Sequence, residues 1–354
     1  MTSDTDLSFP VVLNSLLERR SLSAGEMSAS FEAILTGKWS EPESAAFLVA
    51  MRMKGETAEE LAAAARVLRG RMVRLEPTAA GSLDTCGTGG DDHSTFNVST
   101  AVALVVAAVG VPVVKHGNRA VSSRSGSADV LSELGVPIEA GRDWACRCLH
   151  SVGLAFCFAP QFHPALKSLA PLRRRLGVRT MMNLLGPLAN PAEAPFQLLG
   201  VGRLTLLEPV AGALAALGTH GAFVVCSEEG LDEVSLSAPT HFRRIDGDGS
   251  VVSGTWTAQD FGLPPCRLSD LHAADAKASA EMIRRILAGE PGPPRDVVLA
   301  NAAAAVLAAR RVSHLPEGVR QAAQAIDSGR AEAILDSLRR VPTGGMTAGS
   351  STSQ

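Results

Sequence analysis

Apolar positions recur at helical spacing from residue 8 to about residue 75. Leu13, Leu16 and Leu17 fall on one face, Phe31, Ile34 and Leu35 on another, and the run AEELAAAARVLRGRM continues the pattern. Strand-like alternation is nearly absent there. From Ser82 the pattern changes. Short apolar runs at 104–109, 111–114, 154–158 and 222–226 read as buried β segments alternating with helices. That alternation predicts a parallel or mixed sheet. Residues 164–185 are helical again, so a segment from mid-chain is expected to complete the small helical domain. The expected division is a helical domain over 1–77, completed by about 165–192, and an α/β domain over 78–341 interrupted by that segment. The Gly-, Ser- and Thr-rich tail 342–354 is expected to be disordered. No internal repeat is evident.

With 354 residues, 46% hydrophobic and 19% charged, the chain has room for two domains and a large core. A formal net charge of −3 supplies no overall attraction to nucleic acid or to an anionic membrane, so neither is expected as a partner and any phosphate site must be local. The six cysteines (Cys86, Cys146, Cys148, Cys157, Cys226 and Cys266) contain no Cys-x-x-Cys pair and read as reduced thiols without a zinc site. Asp4 and Asp6 precede any apolar stretch, which does not suit a signal peptide, and runs such as 101–114 are short for a membrane span. A cytoplasmic location is the expectation.

Residues 84–100, DTCGTGGDDHSTFNVST, carry the first candidate chemistry. Gly87, Gly89 and Gly90 allow backbone N–H groups to approach a ligand, and Asn97, Ser99 and Thr100 supply caps and donors at a helix start, which suits a phosphate or pyrophosphate. A glycine turn alone is as often a ligand-free connection, and neither the dinucleotide nor the P-loop spacing is present. Residues 115–129, KHGNRAVSSRSGSAD, follow an apolar run. They place Lys115, Arg119 and Arg124 among Ser122, Ser123, Ser125 and Ser127, a composition suited to a polyphosphate at the carboxyl edge of a sheet. In 172–190, LRRRLGVRTMMNLLGPLAN, Arg173, Arg174, Arg175 and Arg179 crowd what reads as one helix ending near Gly186-Pro187. At 3.6 residues per turn they cannot all face one way, so most are expected to be solvated while one meets a carboxylate. In GLDEVS, Asp232 and Glu233 offer oxygen ligands for Mg²⁺, although such a pair is more often plain surface.

Taken together, GTGGD (87–91), TFNVST (95–100), KHGNRAVSSRSGSAD (115–129), RRRLGVRTMMNLLGPLANP (173–191) and GLDE (230–233) resemble the anthranilate phosphoribosyltransferase family. The likeness extends to ILTGKWSEPESAAFLVAMRMKGETAEEL and RDVVLANAAAAVL, and so covers nearly the whole chain. It implies a nucleoside phosphorylase/phosphoribosyltransferase-like fold, with a small all-helical domain and a larger α/β domain around a mostly parallel sheet. It implies transfer of the phosphoribosyl group from phosphoribosyl pyrophosphate (PRPP) to the amino nitrogen of anthranilate, with Mg²⁺ and a homodimer. By motif position, Gly87, Gly90, Asp91, Thr95, Asn97, Ser99, Thr100, Lys115, His116, Gly117, Asn118, Arg119, Ala120, Val121, Ser122, Ser123 and Ser127 would surround PRPP. Gly87, Asn118 and Arg173 would contact anthranilate, with Arg173 on its carboxylate. Ser99, Asp232 and Glu233 would serve the metal. No covalent nucleophile is needed. His116 would either accept or orient a proton or only hold its loop by a hydrogen bond, and His93 and His163 are expected to be surface or core residues.

Three positions depart from the family pattern. Asp92 adds a carboxylate after GTGGD, Met182 stands where phenylalanine is frequent, and Ser227-Glu228 occupy the approach to GLDE where glycine is common. Other readings stay open: a related phosphoribosyltransferase, or a pyrimidine nucleoside phosphorylase of similar architecture, the latter disfavoured by the 115–129 motif, and a paralogue that has lost catalysis and binds nucleic acid, disfavoured by Arg173, Asp232, Glu233 and the charge balance.

Overall fold

The computed structural model describes residues 8–76, 79–90, 93–120 and 125–344. Of the residues singled out above, Asp4, Asp6, Asp91, Asp92, Val121, Ser122, Ser123, Arg124 and the tail beyond Gly344 lie outside the described residues.

The chain opens with α1 (Phe9–Leu17), α2 (Ala24–Leu35), α3 (Glu41–Lys54) and α4 (Ala58–Gly70). Local chemistry sets their starts. Ser23 with Glu26 and Thr57 with Glu60 form capping boxes, and Pro10 and Pro42 sit in first turns where the missing N–H costs nothing. Then come β1 (Leu83–Gly87), α5 (Val98–Val109), β2 (Val113–Gly117), α6 (Ser127–Glu133), α7 (Arg142–Val152), β3 (Leu154–Phe158), α8 (Ala159–Phe162), α9 (Ala170–Leu176) and α10 (Met182–Leu188). The remainder is β4 (Phe196–Gly200), α11 (Leu207–Ala216), β5 (Gly221–Ser227), β6 (Thr240–Asp246), β7 (Val251–Trp256), α12 (Ala258–Phe261), α13 (Ala276–Leu287), α14 (Pro293–Ala308), α15 (Leu315–Asp327) and α16 (Arg330–Arg340).

One seven-stranded sheet runs in the order β3-β2-β1-β4-β5-β6-β7. The first five strands in that order pair in parallel, and β6 and β7 add an antiparallel hairpin at the edge. Alternation along the strands assigns the two faces. Leu198, Phe223 and Val225 enter a core with α5, α14 and α15, whereas Leu199, Ala222, Val224 and Cys226 enter a second core shared with the helical unit. Leu169, Leu172, Met182, Leu185 and Leu188 join α1–α4 in that second core, and α9 and α10 pack on α3 and α4. The protein is therefore a small helical unit against a larger α/β domain with a mostly parallel sheet.

Three sequence expectations need correction. Residues 104–109 are not a strand but the second half of α5. Their β-branched valines favour a strand locally, yet the twelve-residue run from Val98 ends at Gly110 in a left-handed C-cap, and a helix buried nearly all round shows no polar face. The four arginines do not share one helix, because Gly177 at φ +60° ends α9 and leaves Arg179 in the connection to α10. β1, β4 and the β6–β7 hairpin were not read from the sequence as strands; β1 and β4 are five residues each, too short to display a period.

Glu60 ties the helical unit together. Its Oε1 accepts from the Leu22 N–H at 2.8 Å, and its Oε2 accepts from Lys54 Nζ at 2.9 Å and from the Thr57 N–H at 2.9 Å. The Lys54 and Glu60 side chains are 3% and 0% exposed. Glu60→Ala would leave a buried ammonium without its counter-charge, so a loss of about 3–5 kcal/mol is expected in urea unfolding. Glu60→Gln should cost less, and equal losses would refute the role of the charge.

Candidate active site

The strand order turns back on itself between β1 and β4, and the carboxyl ends of these two strands are where a parallel sheet opens a crevice for ligands. Both strands end in glycine, with Gly87 opposite Gly200, and Thr88 N–H donates to Gly200 O at 2.9 Å. The loop after β5 crosses directly over this pair. A Cβ on Gly87 would lie 2.3 Å from Asp232 Oδ2, and one on Gly200 only 1.5 Å from the Asp232 carbonyl oxygen. Close approach explains both glycines, and the crossing sets the Asp232 carboxylate over the glycine loop, where it accepts from the Gly89 N–H at 2.7 Å.

Glu233 lies beside it and accepts from the Ser99 N–H at 3.1 Å, at the first turn of α5. The loop carrying both carboxylates is pinned from below by Asn301 of α14, fully buried, which accepts from Val234 N–H and donates to Val234 O, each at 2.8 Å. Lys115, near the end of β2 and 3% exposed, donates to Thr85 O at 2.6 Å and to Ser99 Oγ at 3.0 Å. Burial pulls its pKa below the ordinary lysine value, while the charges of Asp84, Glu233 and Asp232 oppose the shift. Asp84, fully buried beneath the site, has its carboxyl pushed up to about 6 by burial against the pull of Lys115.

Asn97 is held by two serines. Ser279 Oγ accepts from its N–H at 2.9 Å and donates to its Oδ1 at 3.0 Å, and Ser125 Oγ also donates to that oxygen at 2.9 Å. Thr95 bridges to His272, and the Thr100 hydroxyl is buried without a hydrogen-bond partner among the described residues. Gly117 abuts Ser127, since a Cβ there would meet Ser127 Oγ at 2.1 Å. Asn118 Oδ1 accepts from the Arg119 N–H at 2.8 Å. Asp129 takes the N–H groups of Ala120 at 2.8 Å and Gly126 at 2.9 Å, and so holds the two ends of the serine-rich loop together. The Arg119 guanidinium faces outward to Asp129 at 3.2 Å and Glu139 at 2.7 Å, which leaves its backbone, not its charge, with the loop.

His116 is buried, with Nδ1 3.0 Å from Gly186 O. Since a carbonyl only accepts, the proton sits on Nδ1, and Nε2 keeps a lone pair that has no partner among the described residues. Burial, then the His163 ring centred 4.9 Å away, drives its pKa down to about 3. His163 is a core residue with its pKa lowered to about 4 by burial, and His93 bonds Glu229 O at 2.7 Å. Burial also raises the Cys86 and Cys157 thiols well above their usual range, so neither offers a thiolate nucleophile.

Arg173 on α9 stands outside this hydrogen-bond network. Its half-buried guanidinium has no hydrogen bond or ion pair among the described residues, and burial lowers its pKa. Sequence reasoning missed Asp84, Asn301, Ser279, Asp129 and the part played by Arg179, which donates to the carbonyl oxygens of Thr88 and Gly89. For Asp129 a signal existed, three residues after the Gly126 N-cap of α6.

A family model for the α/β domain of a glycosyl transferase family matches residues 79–332, and one for that family's helical bundle domain matches residues 10–72. The anthranilate phosphoribosyltransferase of Anaeromyxobacter dehalogenans (strain 2CP-C) is 49% identical over 323 residues, 91% of this chain and 95% of that protein. The chain belongs to the anthranilate phosphoribosyltransferase family. The Thermus thermophilus anthranilate phosphoribosyltransferase superposes with a TM-score of 0.86 at 39% identity, covering 93% of this chain and 98% of that one. The Saccharomyces cerevisiae anthranilate phosphoribosyltransferase, solved in complex with PRPP and Mg, superposes with a TM-score of 0.85 at 26% identity, covering 96% and 98%.

In this chain the buried imidazoles make stability acid-sensitive. A free histidine titrates near about 6.5, and the folded values near 4 for His163 and near 3 for His116 mean that the native state resists protonation. Their contribution is complete above the unfolded value and is lost as pH falls toward the folded ones. Asp84, with its raised pKa, works in the opposite sense and favours the folded state as pH drops below about 6. Urea titrations should therefore show His163→Phe losing less stability between pH 7 and pH 5 than the parent chain, and an equal loss would contradict the assignment.

Proposed function

We propose that the chain transfers the phosphoribosyl group of PRPP to the amino nitrogen of anthranilate, giving N-(5-phosphoribosyl)anthranilate and pyrophosphate, the second step of tryptophan biosynthesis from chorismate. The observation that carries this reading is the convergence of the glycine loop, the buried Lys115 and the Asp232–Glu233 pair over the β1/β4 crevice. The helical unit, taken as 1–77 with about 165–192, would bring Arg173 to the acceptor, and the α/β unit, taken as 78–341, would hold the donor.

Gly87, Gly90, Asp91, Thr95, Asn97, Ser99, Thr100 and the 115–123 segment, with Ser127, would enclose PRPP. Mg²⁺ suits the hard oxygen donors of Asp232, Glu233 and Ser99. Among the described residues no cluster of three His, Cys, Asp or Glu side chains exists, so substrate phosphate oxygens would complete the shell. Bound there, the ion would offset charge gathering on the leaving pyrophosphate. Lys115 acts in the same direction, as a fixed cation in a low-dielectric setting. The aniline nitrogen, neutral at pH 7, forms the bond to C1 as the C1–oxygen bond breaks. The electron pair leaves with pyrophosphate and the nitrogen releases its proton to solvent. Nearness and alignment supply much of the acceleration, with effective molarities that reach about 10⁵ M or more. A histidine with a pKa of about 3 is a neutral imidazole at neutral pH, its one proton on Nδ1, so His116 serves through its Nε2 lone pair, as an acceptor that orients the amine. Arg173, with no carboxylate partner among the described residues, suits that of anthranilate, with Gly87 and Asn118 beside the ring.

Loss of anthranilate fluorescence on mixing with PRPP and Mg²⁺, against PRPP-free and EDTA controls, tests the reaction. Arg173→Ala should raise KM for anthranilate by about 10–100-fold, the range of a lost charge-assisted contact, with KM for PRPP little changed. In the same assay, Asp232→Asn with Glu233→Gln should abolish Mg²⁺-dependent turnover in a folded protein. Full activity of either variant would remove the corresponding role.

Among the described residues no helix is long and apolar enough to cross a membrane, which suits the cytoplasm. A homodimer is the assembly proposed. Val11 and Leu17 on α1, Val49 and Met53 on α3 and Val178 after α9 are large apolar side chains left exposed, by 56%, 66%, 36%, 72% and 58%, on elements that pack side by side. Light scattering should give twice the chain mass, falling to one chain mass in Leu17→Glu with Met53→Glu. A monomeric parent chain would reject the dimer.

A further inference from the structure

Residues 88–90 are held from two sides by different units. From the helical side, Arg179 in the α9–α10 connection donates Nη2 to Thr88 O at 3.0 Å and Nη1 to Gly89 O. From the α/β side, Asp232 accepts the Gly89 N–H at 2.7 Å. Gly89 and Gly90 are both left-handed, at φ +64° and +78°, a backbone path that L side chains resist. Gly90 is bound by a second constraint, since a Cβ there would fall 1.3 Å from Arg179 Nη1, inside the guanidinium.

The peptide groups carry the consequence. In a trans peptide the carbonyl and the following N–H point in opposite directions. With Thr88 O turned to Arg179, Gly89 N–H meets Asp232. With Gly89 O also turned to Arg179, Gly90 N–H points away from the guanidinium, and it has no hydrogen-bond partner among the described residues. A planar fork suits this task, because it reaches two adjacent carbonyls at once where an ammonium is a single point charge. Arg179 lines a cleft of about 220 Å³ with Arg52, Glu56 and Arg203, next to Thr88 and Gly90, so the clamp is built where the helical unit meets the loop.

We propose that Arg179 is a positioning residue for the donor: from the helical unit it fixes the carbonyls of Thr88 and Gly89 and thereby aims the Gly90 N–H at the pyrophosphate of PRPP. This rests on the assignment of residues 87–90 to PRPP. Since Arg179 follows Arg173 by six positions across Gly177, one short segment of the helical unit then serves both substrates.

The test compares steady-state kinetics of Arg179→Ala and Arg179→Lys with those of the parent chain, Lys115→Met and Arg173→Ala. Arg179→Ala should raise KM for PRPP at least tenfold and leave KM for anthranilate within about twofold, the reverse of Arg173→Ala. Arg179→Lys should fall between, and added guanidinium ion should partly restore Arg179→Ala. Calorimetry with Mg²⁺ and pyrophosphate, which needs no turnover, should show weakened binding in the same order. An unchanged KM for PRPP in Arg179→Ala while Lys115→Met raises it would overturn the clamp and keep the donor site. An unchanged KM in both variants would overturn the donor-site assignment and the clamp with it. A fall in kcat alone without guanidinium rescue marks a merely structural role and overturns the proposal.

Discussion

Backbone and carboxylate share one small volume over the carboxyl ends of β1 and β4, and the site depends on that crowding. A parallel sheet that reverses its order opens a crevice, but here the loop after β5 fills its rim. Only the absence of side chains at Gly87 and Gly200 lets the Asp232 backbone settle there. Once it has, its carboxylate organises the glycine loop through the Gly89 N–H, and Glu233 falls onto the first turn of α5. The crossing therefore brings the acidic pair and the glycine loop, more than a hundred residues apart in sequence, into one site.

Charge burial gives the site its character. Lys115, Asp84, Asp232 and Glu233 are all 9% exposed or less, in a setting where isolated charges would be costly. Each compensates the others: the carboxylates sustain the ammonium, and the ammonium restrains the rise of the Asp84 pKa. A cation kept in a dry, preset position needs no solvent rearrangement when charge develops beside it, which is what departure of a polyphosphate demands. The two units divide the work. The α/β unit supplies the buried charges, and the helical unit supplies arginines, one clamped on the loop and one without a partner among the described residues.

Much of the site was legible because its needs are local. A loop that lets backbone N–H groups approach an anion requires glycine, a helix start requires a small polar cap, and hard-cation binding requires carboxylates. Gly87–Gly90, Asn97–Ser99 and Asp232–Glu233 each announce themselves within a few positions. The 104–109 run was misread because complete burial removes the polar stripe by which a helix is recognised.

Sequence alone thus determined which residue types could hold phosphate, metal and carboxylate, and that helical and α/β units alternate along the chain. Tertiary structure decided which of those residues meet. Arg119, in the basic motif, spends its guanidinium on Asp129 and Glu139, whereas Arg179, one of four arginines with no local distinction, reaches back 91 positions to Thr88. Asn301, inside an alanine-rich helix, secures the loop that carries Asp232 and Glu233. Periodicity reports how a segment faces its surroundings and capping reports where it begins, both short-range effects. Pairing across the chain is settled only when the sheet closes and the remaining donors and acceptors must find partners away from water.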